Sequence, residues 1–333
     1  MRLVLALTFI FASCLPAQQP TLSGPVEAIT FDAPTRSLRA VTGFPGGATF
    51  GPALLDNLDV ASVAPLQNYG VIFQNGKCLF VSGLGTKTIA TVAIAGVTKY
   101  PDGILWSGNG SLAVLYSLAG GWTQSIDGFP GAPVAGSVVS VSSLGESFTA
   151  LAVDAPGKQI VVAVSGDNGG VYQSAGGQFT SLVSMANPVS LSFSGDGQTL
   201  YALDAAAVQV KAVLMSSHGF QTLALPGMTN PVAIHSLEDS ESRQVLYVAG
   251  GNDRVMRILD VASQQIITDV ALNFKPTGLS TFGSTSFVLA SRSRATNPLW
   301  LFSSTPAPGA YFVPAIQLLP PDRRATAVAG RAR

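Results

Sequence analysis

Along residues 245–279, VLYVAGGNDRVMRILDVASQQIITDVALNFKPTGL, apolar runs alternate with short polar breaks. Val245 to Ala249 is the first run, and Gly250, Gly251, Asn252 and Asp253 interrupt it. Val255 to Leu259 is the second, Asp260 to Gln265 is polar, and Ile266 to Leu272 is the third. A Pro-x-Gly-Leu segment, Pro276 to Leu279, opens a fourth. Gly, Asn and Asp accept positive φ, so the breaks read as turns. Apolar runs of this length between turns predict short antiparallel strands joined by hairpins.

The pattern recurs. Asn187-Pro188-Val189-Ser190-Leu191 resembles Asn230-Pro231-Val232-Ala233-Ile234, and Lys275-Pro276-Thr277-Gly278-Leu279 resembles both. Asp32-Ala33-Pro34 returns as Asp154-Ala155-Pro156, and Ser107-Gly108-Asn109-Gly110 as Ser194-Gly195-Asp196-Gly197. Taken as equivalent turns, Pro34, Gly76, Gly110, Pro156, Gly197, Ser242 and Ser284 are 42, 34, 46, 41, 45 and 42 residues apart. Units of about 40 residues with four strands each are the mark of a β-propeller. The expected fold is therefore all-β, a seven-bladed β-propeller of four-stranded antiparallel blades over residues 18–320. The phasing places the inner strand of the first unit at Val26 to Phe31 and makes the second unit, Tyr69 to Tyr100, the least regular. Each blade is expected to be built from consecutive residues, with Tyr311 to Leu319 as the last strand and closure by packing of blade 1 on blade 7.

The segment LYVAGGNDRVMRILDVASQQIITDVAL followed by Pro-x-Gly also resembles the YVTN-type propeller repeat of secreted and surface proteins of prokaryotes. Tyr247-Val248-Ala249-Gly250 stands where that repeat has Tyr-Val-Thr-Asn, and Ile258-Leu259-Asp260 matches its Val-Ile-Asp. The resemblance covers about one blade well. It implies the fold and says little about activity, because propellers host many unrelated functions. Lactonases and lactonizing enzymes share this fold, and the resemblance to them implies a site of His with Arg or carboxylates at one channel mouth.

Composition changes the picture in two places. Mean hydropathy is +0.39 and only 11% of residues are charged, against about 25% in ordinary proteins. No apolar run past the N-terminus reaches the ~18 residues that a spanning helix needs, so no transmembrane segment is expected; strands packed on both faces account for the hydropathy instead. Residues 1–17 read as a secretory signal: Arg2, the apolar run Leu3 to Ala12, and Leu15-Pro16-Ala17 before Gln18. The expected location is outside the cytoplasm, secreted or periplasmic. Phe11-Ala12-Ser13-Cys14 offers a lipoprotein anchor through Cys14 as the alternative. Without Cys14 only Cys78 remains, which leaves no disulfide and no cysteine metal site; Cys78, in the strand-like Lys77 to Val81, reads as core. The net charge is zero, and no basic stripe points to nucleic acid. Residues 321–333, with Asp322-Arg323-Arg324 and Gly330-Arg331-Ala332-Arg333, read as a flexible tail.

Candidate chemistry is thin. His218, between Ser217 and Gly219, belongs to a turn. His235, in Pro231 to His235, falls on an inner strand, with Ser192, Ser280 and Thr30 as its equivalents, which suggests a ring of hydroxyls with one imidazole on the channel wall. No Gly-x-Ser-x-Gly elbow, His-Glu-x-x-His or calcium-loop spacing is present; Ser165-Gly166-Asp167-Asn168-Gly169-Gly170 reads as a hairpin turn. No metal site and no cofactor is expected. A channel-mouth enzyme, a lactone hydrolase or isomerase, would draw on His235 with Arg254, Arg257, Arg292 or Arg294. Trp106, Trp122, Trp300, Tyr172 and Tyr247 fall in or beside predicted strands and read as packing between blades, or as an aromatic platform if several share a rim. Phe44-Pro45-Gly46-Gly47 and Phe129-Pro130-Gly131-Ala132-Pro133 resemble each other and read as rim loops. The reading that fits best is a monomeric secreted scaffold binding a protein, peptide or glycan through Phe44, Phe129 and His235.

Overall fold

A computed structural model describes residues 25–316 apart from positions 66, 67, 87, 240, 284, 285, 291 and 306. The expected signal segment 1–17, Cys14, the turn at Ser284, the end of the expected last strand beyond residue 316 and the expected tail from 321 lie outside the described residues. The chain is an all-β propeller of seven antiparallel blades arranged in sequence order. Blade 1 holds β1 (Val26–Asp32), β2 (Ser37–Thr42) and β3 (Thr49–Leu55). Blade 2 holds β4 (Val60–Val63), β5 (Tyr69–Gln74), β6 (Lys77–Ser82) and β7 (Ala90–Ala93); blade 3 holds β8 (Gly103–Trp106), β9 (Leu112–Ser117), β10 (Trp122–Asp127) and β11 (Val134–Ser140). Blade 4 holds β12 (Ser147–Val153), β13 (Ile160–Ser165), β14 (Gly170–Ala175) and β15 (Gln178–Ser184); blade 5 holds β16 (Pro188–Phe193), β17 (Thr199–Asp204), β18 (Gln209–Leu214) and β19 (Phe220–Ala224). Blade 6 holds β20 (Pro231–Glu238), β21 (Gln244–Gly250), β22 (Val255–Asp260) and β23 (Ile266–Ala271); blade 7 holds β24 (Ser280–Phe282), β25 (Ser286–Ala290), β26 (Leu299–Ser303) and β27 (Gly309–Val313). Among the described residues the only helices are two single turns, Ala33–Thr35 and Val141–Leu144, and no helix is long and apolar enough to cross a membrane.

Burial falls from the middle of each blade outward, and this explains the hydropathy. In β21 every residue but Gln244 is buried, on both faces, whereas in β23 none is. Leu112, Ala113, Val114 and Leu115 of β9 are likewise buried in succession. A strand sandwiched between two neighbouring blades has no solvent face, so it cannot alternate apolar and polar residues. Each fully buried Val or Leu contributes about 1.5–3 kcal/mol, which is how so few charges suffice.

Two sequence expectations shift. The turn at Gly76 joins β5 to β6, whereas the inner hairpin of blade 2 turns between Val63 and Tyr69. The least regular blade is therefore the first, not the second: it shows three strands among the described residues, and only four residues separate β3 from β4. The phase of blade 1 shifts too. Arg36, Val208 and Arg254 all sit at φ 51°, in the left-handed region, at the turns after β1, β17 and β21. Each turn's carbonyl accepts a main-chain hydrogen bond from the leucine after the fourth strand: Leu58 to Arg36 at 2.9 Å, Leu225 to Val208 at 3.3 Å, Leu272 to Arg254 at 2.7 Å. So β1 is the counterpart of the second strands β17 and β21. Thr30 is not an inner-strand equivalent of His235, because β1 occupies the second position of its blade.

The seams between blades differ in chemistry. Between blades 4, 5 and 6, hydroxyls of one inner strand bond the main chain of the next: Thr149 Oγ1 donates to the Pro188 carbonyl (2.5 Å), and Ser190 and Ser192 Oγ accept from the Ile234 (3.1 Å) and Ser236 (2.9 Å) amides. Between blades 2 and 3, Tyr69 donates to the Gly110 carbonyl at 3.0 Å. Gly110, at φ +74°, has no room for a side chain, since a Cβ would stand 2.5 Å from the Tyr69 hydroxyl. Blades 6 and 7 meet through rings, Tyr247 against Phe287 and Phe302. Blades 7 and 1 share an apolar cluster of Ala28, Val41, Phe282, Leu301 and Val313, together with polar links described below.

Candidate functional site

His235 lies on the inner strand β20, as its sequence position implied, but its ring packs against Phe287 of blade 7 with centroids 4.9 Å apart. It belongs to the seam between blades 6 and 7. The hydroxyls expected around it are not gathered there: Ser192 is taken up by the Ser236 amide, Ser280 is exposed on β24, and Thr30 is on a second strand. Burial pushes the His235 pKa down to about 4, so the imidazole is neutral at pH 7. The unfolded chain, with histidine near 6.5, binds the extra proton between pH 6.5 and 4. His235 therefore contributes stability that is fully present above pH 6.5 and is lost as pH falls towards 4, by up to about 3 kcal/mol. Urea unfolding at pH 7 and pH 4.5 checks this: His235→Leu should lose markedly less stability on acidification than the parent, and equal losses would refute the assignment.

None of the four arginines weighed as partners of His235 bonds it. Arg257, buried in β22, holds Asp269 of β23 through Nε and Nη2 at 2.9 and 2.7 Å and donates Nη1 to the Pro226 carbonyl. That bidentate pair, through its hydrogen bonds and the arginine's charge, holds the Asp269 carboxyl below its ordinary pKa. Arg292, just after β25, is 2.9 Å from Asp32 of β1 through Nη1, donates Nη2 to the Ala295 carbonyl, and lies over the Phe50 ring. Arg254 and Arg294 are exposed. His218 is exposed in its turn at φ 57°. Among the described residues no three His, Cys, Asp or Glu side chains are gathered so as to hold a metal ion. Cys78 is buried and its thiol is pushed up to about 12 by burial, which keeps it protonated and unreactive.

The two similar loops part company. Both are turns between the last two strands of a blade, Phe44 to Gly47 between β2 and β3, and Phe129 to Pro133 between β10 and β11. Phe44 is 69% exposed. Phe129 is 8% exposed and is not a rim-binding residue: its ring lies 4.8 Å from Trp106, 5.7 Å from Phe80 and 6.1 Å from Tyr69. The hollow between blades 2 and 3 is lined with rings, so burying the benzyl group there outweighs exposing it.

Gly46, in the same turn as Phe44, lines an open cleft of about 450 Å³ with Ala271, Asn273, Trp300, Tyr311 and Phe312. The cleft sits on blade 7 and draws on both flanking blades. Trp300 and Phe312 are register partners across β26 and β27, with ring centroids 5.5 Å apart. Trp300 also stacks on Phe274, just past β23, at 4.2 Å and 15°. Phe312 is 49% exposed. Burial and the Glu27 carboxylate hold the Tyr311 hydroxyl protonated, bonded to Glu27 and Ser286. No charged side chain lines the cleft. Trp300 was visible in the sequence as a strand tryptophan, but Asn273, Phe274 and Phe312 were missed; Phe312 stands directly opposite Trp300 on the neighbouring strand, which only pairing reveals.

No family model matches the chain, and no curated protein does. Solved structures do. A streptogramin B lyase is 9% identical with a TM-score of 0.55 over 82% of this chain and 85% of its own. Virginiamycin B lyase from Staphylococcus aureus is 13% identical, TM-score 0.52, over 84% and 91%. A provisionally assigned 6-phosphogluconolactonase from Bacteroides fragilis is 13% identical, TM-score 0.59, over 87% and 95%. At these identities the likeness shows the propeller fold and nothing finer.

Proposed function

We propose that the protein is an exported, monomeric recognition module of the YVTN-like kind, and that the cleft on blade 7 binds a neutral glycan. The observation that carries this reading is the gathering of Trp300, Phe312 and Asn273 in one open, uncharged cleft edged by Gly46. Flat rings with a few polar groups suit a ligand that is amphipathic and carries no net charge. A short apolar peptide is the other ligand of that chemistry. The channel-mouth enzyme draws no comparable support: a hydrolase needs a base positioned by partners and a group for developing charge, and His235 is neutral, packed on Phe287 and unaccompanied by Arg or carboxylate.

The test is a glycan array and a neutral peptide array probed with the mature protein and with Trp300→Ala. The expected result is binding to one or more neutral glycans, weakened at least tenfold, about 1.4 kcal/mol, by Trp300→Ala with unchanged melting behaviour. Binding to peptides alone transfers the site to the second ligand. No binding on either array, or binding indifferent to Trp300→Ala, refutes the site.

A further inference from the structure

Three Asn-Gly steps occur in the sequence, Asn75-Gly76, Asn109-Gly110 and Asn168-Gly169, and the fold gives each a different setting. Asparagine is a thermolabile residue. The main-chain nitrogen of a following glycine, with no Cβ beside it, is the least hindered nucleophile that its side-chain amide meets. We propose that Asn75 is a site of spontaneous covalent modification, where the chain converts its own asparagine to aspartate and isoaspartate, and that the fold protects Asn109 and Asn168 from the same reaction.

The two protected steps are tied at both reacting groups. Glu146 Oε1 accepts the main-chain N–H of Asn168 at 2.9 Å and its Nδ2 at 3.3 Å. Gly169 donates its N–H to the Gly166 carbonyl at 3.0 Å and is packed so closely that a Cβ would stand 2.5 Å from the Met185 carbonyl oxygen. Asn109 Oδ1 accepts from the Ser107 hydroxyl (2.8 Å) and from the N–H (2.9 Å) and hydroxyl (2.8 Å) of Ser111, and Nδ2 donates to the Pro156 carbonyl at 3.4 Å. Gly110 donates its N–H to the Ser107 carbonyl at 2.9 Å. In both steps the nitrogen that would attack is committed to a carbonyl, and the amide that would be attacked is held.

Asn75-Gly76 has neither restraint. Gln74 of β5 pairs with Lys77 of β6, so the two residues are the whole of a hairpin turn, with φ 52° and 72°, the positive values that select Asn-Gly. Both are exposed. Outside its chain neighbours, nothing lies within 4 Å of where a Gly76 Cβ would stand. Among the described residues neither the Asn75 side chain nor the Gly76 N–H makes a hydrogen bond. The dipeptide that suits the turn is also the reactive one.

The reaction needs only water. The Gly76 nitrogen loses its proton and attacks Asn75 Cγ; the bond from Cγ to Nδ2 breaks, and ammonia leaves with that proton. The five-membered succinimide then takes up water at either carbonyl, giving aspartate or isoaspartate, and nothing is oxidised or reduced. Either product adds one negative charge to a chain of zero net charge. Isoaspartate also adds a methylene to the main chain inside a turn of two residues, which strains the pairing of β5 with β6.

The test holds the purified full chain in mildly alkaline buffer, folded and in parallel in concentrated urea, and follows each Asn-Gly peptide by mass spectrometry after digestion. In the folded protein the Asn75 peptide should deamidate roughly tenfold or more faster than the other two, because those must first open locally. Anion exchange should show a more acidic form accumulating in step, and Asn75→Gly, which keeps a permitted turn, should not produce it. In urea the three rates should converge. An Asn75 that deamidates no faster than Asn109 or Asn168 in the folded protein overturns the proposal, as does a preference for Asn75 that persists unchanged in urea.

Discussion

Arg292→Met should lower the unfolding free energy by about 3–5 kcal/mol, the cost of leaving one member of a buried ion pair without its partner. The side chains of Arg292 and Asp32 are 2% and 0% exposed. Asp32 would keep only the Thr35 hydroxyl and Arg39, whose Nε is 3.9 Å away, and Asp32 Oδ1 already lacks a partner. The pair joins the turn after β25 in blade 7 to the end of β1, so the loss falls on the seam that completes the ring. Urea unfolding of the single variant and of Arg292→Met/Asp32→Leu measures it. The double variant should regain most of the loss, since two apolar groups in place of a buried pair are often neutral or stabilising. A single-variant loss under about 1 kcal/mol would show that the pair is solvated and not part of the closure.

Phe129→Ala should cost a similar amount, about 3–5 kcal/mol, as large-to-small changes of buried aromatics do. Its ring is held by Trp106, Phe80 and Tyr69, and Tyr69 in turn carries the hydrogen bond to Gly110. Phe44→Ala, at the equivalent turn of blade 1, should change stability by less than about 0.5 kcal/mol. Thermal and urea unfolding of the two variants side by side makes the comparison. If both are neutral, Phe129 is not a core residue, and if both are costly, Phe44 is not free.

That contrast also marks where the sequence stops being informative. The number of blades and their antiparallel strands were legible, because turn residues and doubly buried strands leave a period that needs no contacts to read. The equivalence of the two Phe-Pro-Gly turns was legible as well, and it is real. Whether each phenylalanine faces solvent was not, since it depends on rings contributed by Tyr69, Phe80 and Trp106 from strands far along the chain. Phase failed in blades 1 and 2 for a related reason: turns of the same composition follow both the first and second strands of a blade, so Pro34 and Gly76 look the same as inner turns. His235 was placed on the right strand, but an alternating strand sends one face into each seam, and the side that meets Phe287 cannot be told from the neighbours in sequence. The blade 7 cleft was the least legible part, because Asn273, Trp300 and Phe312 meet only through cross-strand register.

A closed ring fails at its weakest joint, and the joints here answer to temperature differently. Blades 4, 5 and 6 are tied by hydroxyls to main chain, whereas blades 6 and 7 meet through Tyr247, Phe287 and Phe302. Apolar attraction fades on cooling while directional polar bonds do not share that dependence. Apolar clusters lie under all of these seams, so cooling weakens every joint, and the hydroxyl ties give blades 4 to 6 a contribution that the seam between blades 6 and 7 does not share.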